Sequence, residues 1–134
     1  MTIFLTIEGD PAPQGSKRII KGRLIEASST KLKKWRAAIA QACLSVVNED
    51  HKLMIGPVRV EVIFYLPRPK SVPKHKRPWP IVPPDLDKLC RGLLDGIGQS
   101  EVIWGDDSQV IELTAWKAYA DDGAPGAQVR IEAL

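Results

Sequence analysis

Apolar and polar residues alternate along residues 2–8 (TIFLTIE), the two-residue period of a strand with one covered face. Asp10-Pro11-Ala12-Pro13-Gln14-Gly15-Ser16 then breaks regular structure, and Arg18–Ile20 and Arg23–Ile25 flank Lys21-Gly22 as a short basic hairpin. Ser28, Ser29 and Thr30 offer caps to a helix with apolar positions Leu32, Trp35, Ile39, Cys43 and Val46 at three- and four-residue intervals. Residues 57–66 put Val58, Val60, Val62, Phe64 and Leu66 on one face of a second strand. A second helix begins near Asp85, with Leu86, Leu89, Cys90, Leu93, Leu94 and Ile97 as its apolar stripe and Asp87, Lys88, Arg91 and Asp95 opposite; Gly96 and Gly98 are expected to help end it. Two closing strands, about 109–119 and 127–134, are joined by an acidic Gly/Pro turn. This order predicts an α/β (α+β) fold: a mixed β-sheet covered by two α-helices.

Between these elements, residues 67–84 hold seven prolines and five Lys/Arg with almost no periodicity, and read as a long functional loop or partly disordered segment. Trp79, between two of the prolines, is expected to pack against them rather than stack on a base. The length of 134 residues suits one domain, 1–134, and 44% hydrophobic with 26% charged residues excludes a disordered or low-complexity chain. No apolar run is long enough for a membrane helix, and Met1-Thr2-Ile3-Phe4-Leu5 does not open a signal peptide. A soluble, cytoplasmic protein without membrane partners is expected. Cys43 and Cys90 lie in helical apolar patterns and read as buried thiols rather than a disulfide or zinc site.

The net charge of +3 conceals a strong asymmetry. Residues 1–36 carry 8 Lys/Arg against 3 Asp/Glu, residues 52–78 carry 7 against 1, and residues 84–134 carry 4 against 10. A cationic framework around a compact carboxylate cluster is what a metal enzyme acting on a polyanion needs, because the carboxylates would repel phosphates unless cations lay between.

Asp85-Leu86-Asp87 stands at the mouth of a helix directly after two prolines, and Asp106-Asp107 stands before a strand; a helix and turn between them allow the two pairs to converge. Carboxylates of this kind suit Mg²⁺, with Mn²⁺ as a substitute, whereas His51 and His75 are too few and too far apart for zinc. Lys88 and Arg91 are placed to assist charge neutralisation in phosphodiester hydrolysis. Each pair also has a local explanation: Asp85 as an N-cap, Asp87 as a first-turn acid, Gly105-Asp106-Asp107-Ser108 as a turn. Asp95, four residues after Arg91, reads as half of a surface ion pair and is left outside the catalytic set. No EF-hand, dinucleotide fingerprint or P-loop is present.

Pro84-Asp85-Leu86-Asp87-Lys88-Leu89, Leu94-Asp95, Trp104-Gly105-Asp106-Asp107-Ser108-Gln109-Val110 and Lys117 resemble, in order and spacing, the RusA-type Holliday-junction resolvases of bacteria and their phages. The first strand, Gly15-Ser16-Lys17-Arg18 and the closing strands are similar to that family's layout too. The resemblance implies a homodimeric, Mg²⁺-dependent endonuclease that nicks two strands of a four-way junction symmetrically, in DNA recombination and repair. It carries the essential carboxylates onto Asp85, Asp87 and Asp107, with Asp106 as a ligand or support. Where well-known members have Asn after the DxD and a catalytic Lys four residues beyond its second Asp, this chain has Lys88 and Arg91. Arg91 supplies charge but releases no proton, which shifts that role to Lys88 or reduces it to electrostatics. Lys17, Arg18, Lys74, Lys76, Arg77 and Lys117 are the expected contacts to branched DNA. Two other readings are a nucleic-acid-binding protein whose acids only cap and turn, and a metal enzyme acting on small phosphate esters.

Overall fold

The computed structural model describes residues 1–15, 17–26 and 29–134, with residues 17–20, 23–26 and 29 described by their backbone. In chain order it contains β1 (Thr2–Glu8), β2 (Lys17–Ile20), β3 (Arg23–Glu26), α1 (Ser29–Ser45), β4 (Val58–Leu66), α2 (Leu86–Ser100), a 3₁₀ turn (Asp107–Gln109), β5 (Val110–Tyr119) and β6 (Gly126–Ala133). Ser16 and Ser28, two of the residues named above, lie outside the described residues.

Four strands form one mixed sheet in the order β1-β6-β4-β5. β6 runs antiparallel to both β1 and β4, and β5 runs parallel to β4. Two parallel neighbours need a crossover, here supplied by loop 67–84, α2 and the 3₁₀ turn. The hairpin forms at the expected place around Lys21 and Gly22, both at positive φ, but as a separate two-stranded sheet. The two closing strands are not neighbours, because β4 lies on one side of β6 and β1 on the other.

Alternation decides which face is covered. Ile3, Leu5 and Ile7 of β1, Val58, Val60, Val62, Phe64 and Leu66 of β4, and Ala127, Val129 and Ile131 of β6 are all buried. They share one core with Leu32, Trp35, Ile39 and Cys43 of α1 and Leu89, Cys90, Leu93 and Ile97 of α2. Val46, assigned to the α1 stripe from sequence, falls beyond the helix end and is exposed. Both cysteines are free, and burial pushes their thiols upward in pKa, which leaves them inert rather than reactive.

Gly96 and Gly98 do not end α2. The helix continues to Ser100 and stops at Glu101, left-handed at φ 62, whose N–H donates to the Gly98 carbonyl. Gly96 is instead where α1 and α2 touch: a Cβ there would meet Cδ1 of Ile39 at 2.9 Å. Within the described residues, no helix is long and apolar enough to cross a membrane.

Loop 67–84 is tied down rather than loose. The Arg68 guanidinium donates to Asp121 through Nε (2.7 Å) and Nη2 (3.0 Å) and to the Arg77 carbonyl (2.7 Å), and lies 4.1 Å over the Tyr119 ring. The Trp79 ring stands edge-on to Trp116, 6.0 Å between centroids.

Candidate active site

The first turn of α2 presents Asp85 and Asp87, both exposed. Asp85 holds the N-cap position with extended backbone (φ −70, ψ 140), yet its side chain makes no capping hydrogen bond. Its carboxylate is therefore not consumed by the helix, and lies 3.4 Å from Lys88 Nζ. Lys117 fixes where this turn begins. Its ammonium donates to the carbonyls of Val82 and Pro84, each at 2.9 Å. Two of its three donors thus serve the backbone.

The two adjacent acids after α2 have opposite surroundings. Asp106 caps the 3₁₀ turn: its carboxylate accepts from the Ser108 N–H (2.9 Å), while Gln109 Oε1 accepts from the Asp106 N–H (3.0 Å), a reciprocal capping box. That Ser108 hydrogen bond holds the Asp106 carboxyl below its ordinary value. Asp106, expected as a ligand or support, caps the turn that carries Asp107. Gln109 also donates to the carbonyls of Met54 (2.8 Å) and Gly56 (3.0 Å), which anchors the turn to the segment before β4.

Asp107, the first residue of the turn, faces α2. Partial burial, a hydrogen bond with Asp95 and the charges of Asp106 and Asp95 raise its carboxyl above the ordinary value. Asp95 is thus a neighbour of Asp107, a correction to its reading as the surface partner of Arg91. Its carboxylate also accepts from Gln14 Nε2 and lies 3.5 Å from Arg36 Nη2. The loop carrying Gln14 sits close on α2: the Gln14 N–H donates to the Lys88 carbonyl (3.0 Å), and a Cβ on Gly92 would come 3.2 Å from the Ala12 carbonyl. Gly92 permits that approach.

Arg91 lies at Gly15, where a Cβ would be 2.9 Å from its Nη1. Asp87, Arg91 and Asp95 follow one another at four-residue steps on one face of α2, so Asp95 stands about 12 Å of helical rise beyond Asp87. Among the described residues, no three His, Cys, Asp or Glu side chains are gathered closely enough to hold an ion. What is brought together is the Asp95–Asp107 pair and the Asp85–Lys88 pair, joined by a helix. Lys74 and Lys76 are exposed, whereas Arg77 is half-buried and donates through Nε to the Tyr119 hydroxyl (2.8 Å). The side chains of Lys17 and Arg18 lie outside the described residues.

Sequence reasoning missed Asp95, Gln14 and Arg36. The eight-residue interval from Asp87 to Asp95 was the available signal, since it keeps both on one helical side. Nothing local in the sequence announces the contributions from Gln14 and Arg36.

A curated relative, "Uncharacterized protein YqaN" of Bacillus subtilis (strain 168), is 30% identical over 143 residues, covering 96% of this chain and 94% of its own. The sequence model of the family described as "Endodeoxyribonuclease RusA" matches residues 8–132. That span takes in both helices, all the acids described above and nearly the whole of β6, so the chain belongs to the RusA endodeoxyribonuclease family, whose members are Holliday-junction-resolving nucleases that bind branched DNA.

Proposed function

We propose that this chain is a Mg²⁺- or Mn²⁺-dependent endonuclease that resolves four-way DNA junctions by paired symmetric nicks, acting as a homodimer. One observation carries the metal dependence: Asp107 is held against Asp95 at a shared contact where two negative charges oppose each other. Such a pair is eased either by a proton or by a cation. The donors are all carboxylate oxygens, which fits a hard divalent ion. Asp107 and Asp95 would hold it, with waters and phosphate oxygens as its remaining ligands, while Asp85 and Asp87 stand about 12 Å further along α2, beside Lys88. Bound there, the ion supplies neutralisation of charge on the scissile phosphate and a more acidic water.

The chain's own residues do the rest. Gln14 and Arg36 fix the Asp95 carboxylate, so the acid that meets Asp107 does not turn away to solvent. Lys88, at Asp85, and Arg91, on the same face of α2, bind phosphate oxygens, Arg91 contributing attraction alone. Two strands must be cut to resolve a junction, and a two-fold dimer presents one such site to each. The capping alternative accounts for Asp106 and for Asp87 as a first-turn acid, but not for Asp85, whose side chain makes no cap bond.

A labelled four-way junction and a linear duplex of the same sequence, each with Mg²⁺ or with EDTA, test this. The expected result is nicking of the junction in Mg²⁺ alone, with Asp107→Asn and Asp95→Asn each slower by about 100-fold or more, the scale of losing a metal-assisted step. Asp107→Asn cutting at the wild-type rate overturns the assignment.

A further inference from the structure

Gln14 is satisfied at only one end of its amide. Its Nε2 donates to the Asp95 carboxylate, while its Oε1, sealed from solvent, meets no donor among the described residues. Turning the amide over does not cure this, because the oxygen would then oppose the Asp95 carboxylate, acceptor against acceptor. The other buried side-chain polar atoms left unpaired among the described residues are N–H groups, those of the Trp35 and Trp104 indoles and of Arg36 Nε. A cation is repelled by an N–H and attracted by a carbonyl oxygen, so Gln14 Oε1 alone of these calls for one. Its position is also built in advance. Pro11 and Pro13 restrict the loop, Ala12 is buried, the Gln14 N–H donates to the Lys88 carbonyl (3.0 Å), and Gly92 lets the Ala12 carbonyl come close. The oxygen is thereby held one amide width from the carboxylate that meets Asp107.

We infer that Gln14 Oε1 is the third protein ligand of the divalent ion held by Asp95 and Asp107. The inference rests on the metal reading above and adds to it a neutral ligand, from a loop whose contribution lies outside the acid motifs. A buried acceptor is costly unless something pairs with it, and Oε1 is closed to solvent water, so its partner belongs to the site itself. Hard divalent ions take amide carbonyl oxygens as well as carboxylates, which makes one amide serve twice: Nε2 fixes Asp95, and Oε1 completes the ion's protein shell. Charge explains why the third ligand is neutral. Two carboxylates balance a divalent ion, whereas a third would leave the site negative and repel the phosphate it must receive.

Mn²⁺ binding to the full chain tests this in wild type, Gln14→Leu and Gln14→Glu. Paramagnetic resonance of the free ion gives the affinity, and water-proton relaxation by the bound ion reports how many waters it keeps. Gln14→Leu should bind Mn²⁺ about tenfold more weakly or worse, the scale of losing even an outer-shell partner, and should relax water faster per bound ion, because a water takes the place of the amide oxygen. Gln14→Glu restores an oxygen at the same reach and should bind at least as tightly as wild type, with wild-type relaxation. A role through Nε2 alone predicts a different pattern, since both variants lose the bond to Asp95: both weaken, and relaxation per bound ion stays at the wild-type value. That pattern, or unchanged affinity in Gln14→Leu, overturns the inference. If Gln14→Leu fails to fold by circular dichroism, Gln14→Glu decides, and binding weaker than wild type overturns the inference. The expected pattern in a chain that cuts no junction upholds the ligand and defeats the nuclease reading. A wild type that binds no Mn²⁺ overturns the ligand and the metal site together.

Discussion

Asp106 and Asp107 share a sequence neighbourhood and differ in what their carboxylates face. The Ser108 N–H favours the charged form of Asp106, whereas partial burial and Asp95 favour the protonated form of Asp107. Just above the ordinary carboxylate value of 3.8, the folded chain therefore retains a proton on Asp107 that the unfolded chain has released. Stability contributed by that proton is present at lower pH and is lost as pH rises through the window up to the folded value, so an ionised Asp107 weakens the fold at neutral pH. Asp107→Asn should melt higher than wild type at neutral pH by about 3 °C, the scale of relieving a like-charge contact of about 1 kcal/mol. The two melting curves should converge below the ordinary carboxylate value. Added Mg²⁺ should raise the melting temperature of wild type more than that of the variant, because the cation relieves the same contact. Thermal melts across pH, with and without Mg²⁺, check both; a variant that melts lower than wild type at neutral pH contradicts the strain assigned to this pair. A stabilised but inactive Asp107→Asn would mark the site as one where function costs stability.

At the scale of elements, loop 67–84 shows how one residue organises eighteen. Arg68 joins the loop start to Asp121 and to the Arg77 carbonyl while stacking on Tyr119, and Lys117 holds the loop end at Val82 and Pro84. Arg68→Ala should free the middle of the loop and speed tryptic cutting after Lys70, Lys74 or Lys76 by about tenfold or more, while the sheet keeps its circular dichroism. Because Arg68 holds the Asp121 carboxyl below its ordinary value, the tie persists as pH falls through the ordinary range and is lost only when Asp121 is protonated below it. Unchanged digestion of Arg68→Ala would show that other contacts order the loop. The sequence hid this network because its partners, Asp121 and Tyr119, lie some fifty residues away and lack any periodic signal. β4 and α2 were legible for the opposite reason: each buries one regular stripe, and the period alone names Val58 to Leu66 and Leu89 to Ile97. Gly96 was misread because a glycine can end a helix or let a second helix approach, and only the position of Ile39 separates the two. The acids divide in the same way. Asp85-Leu86-Asp87 is local and was readable, whereas the meeting of Asp95 with Asp107 depends on how Gln109 docks the 3₁₀ turn beside β4.

Over the whole molecule, charge is sorted onto different surfaces by sign. The sheet face turned away from the helices has Glu8, Glu61, Glu112 and Glu132 against Arg59 and Arg130, while α1 displays Lys31, Lys33 and Lys34 to solvent, α2 carries Lys88 and Arg91, and loop 67–84 exposes Lys70, Lys74 and Lys76. A polyanion approaching from solution is repelled by the first and drawn to the others, which directs DNA to the loop and helices. Attraction of this kind works by releasing counterions from DNA, so it has a thermodynamic signature that a purely shape-based association lacks. Lys74→Gln and Lys76→Gln should each weaken junction and duplex binding alike and flatten the dependence of log affinity on log salt by about 0.9 for each phosphate no longer neutralised. Lys117→Gln should leave that slope unchanged, because its ammonium is held by the Val82 and Pro84 carbonyls, and should instead slow cutting by loosening the start of α2. Binding titrations over a salt series distinguish the two classes of lysine. A slope that falls for Lys117→Gln and holds for Lys74→Gln would move the DNA from the loop to the β5 edge.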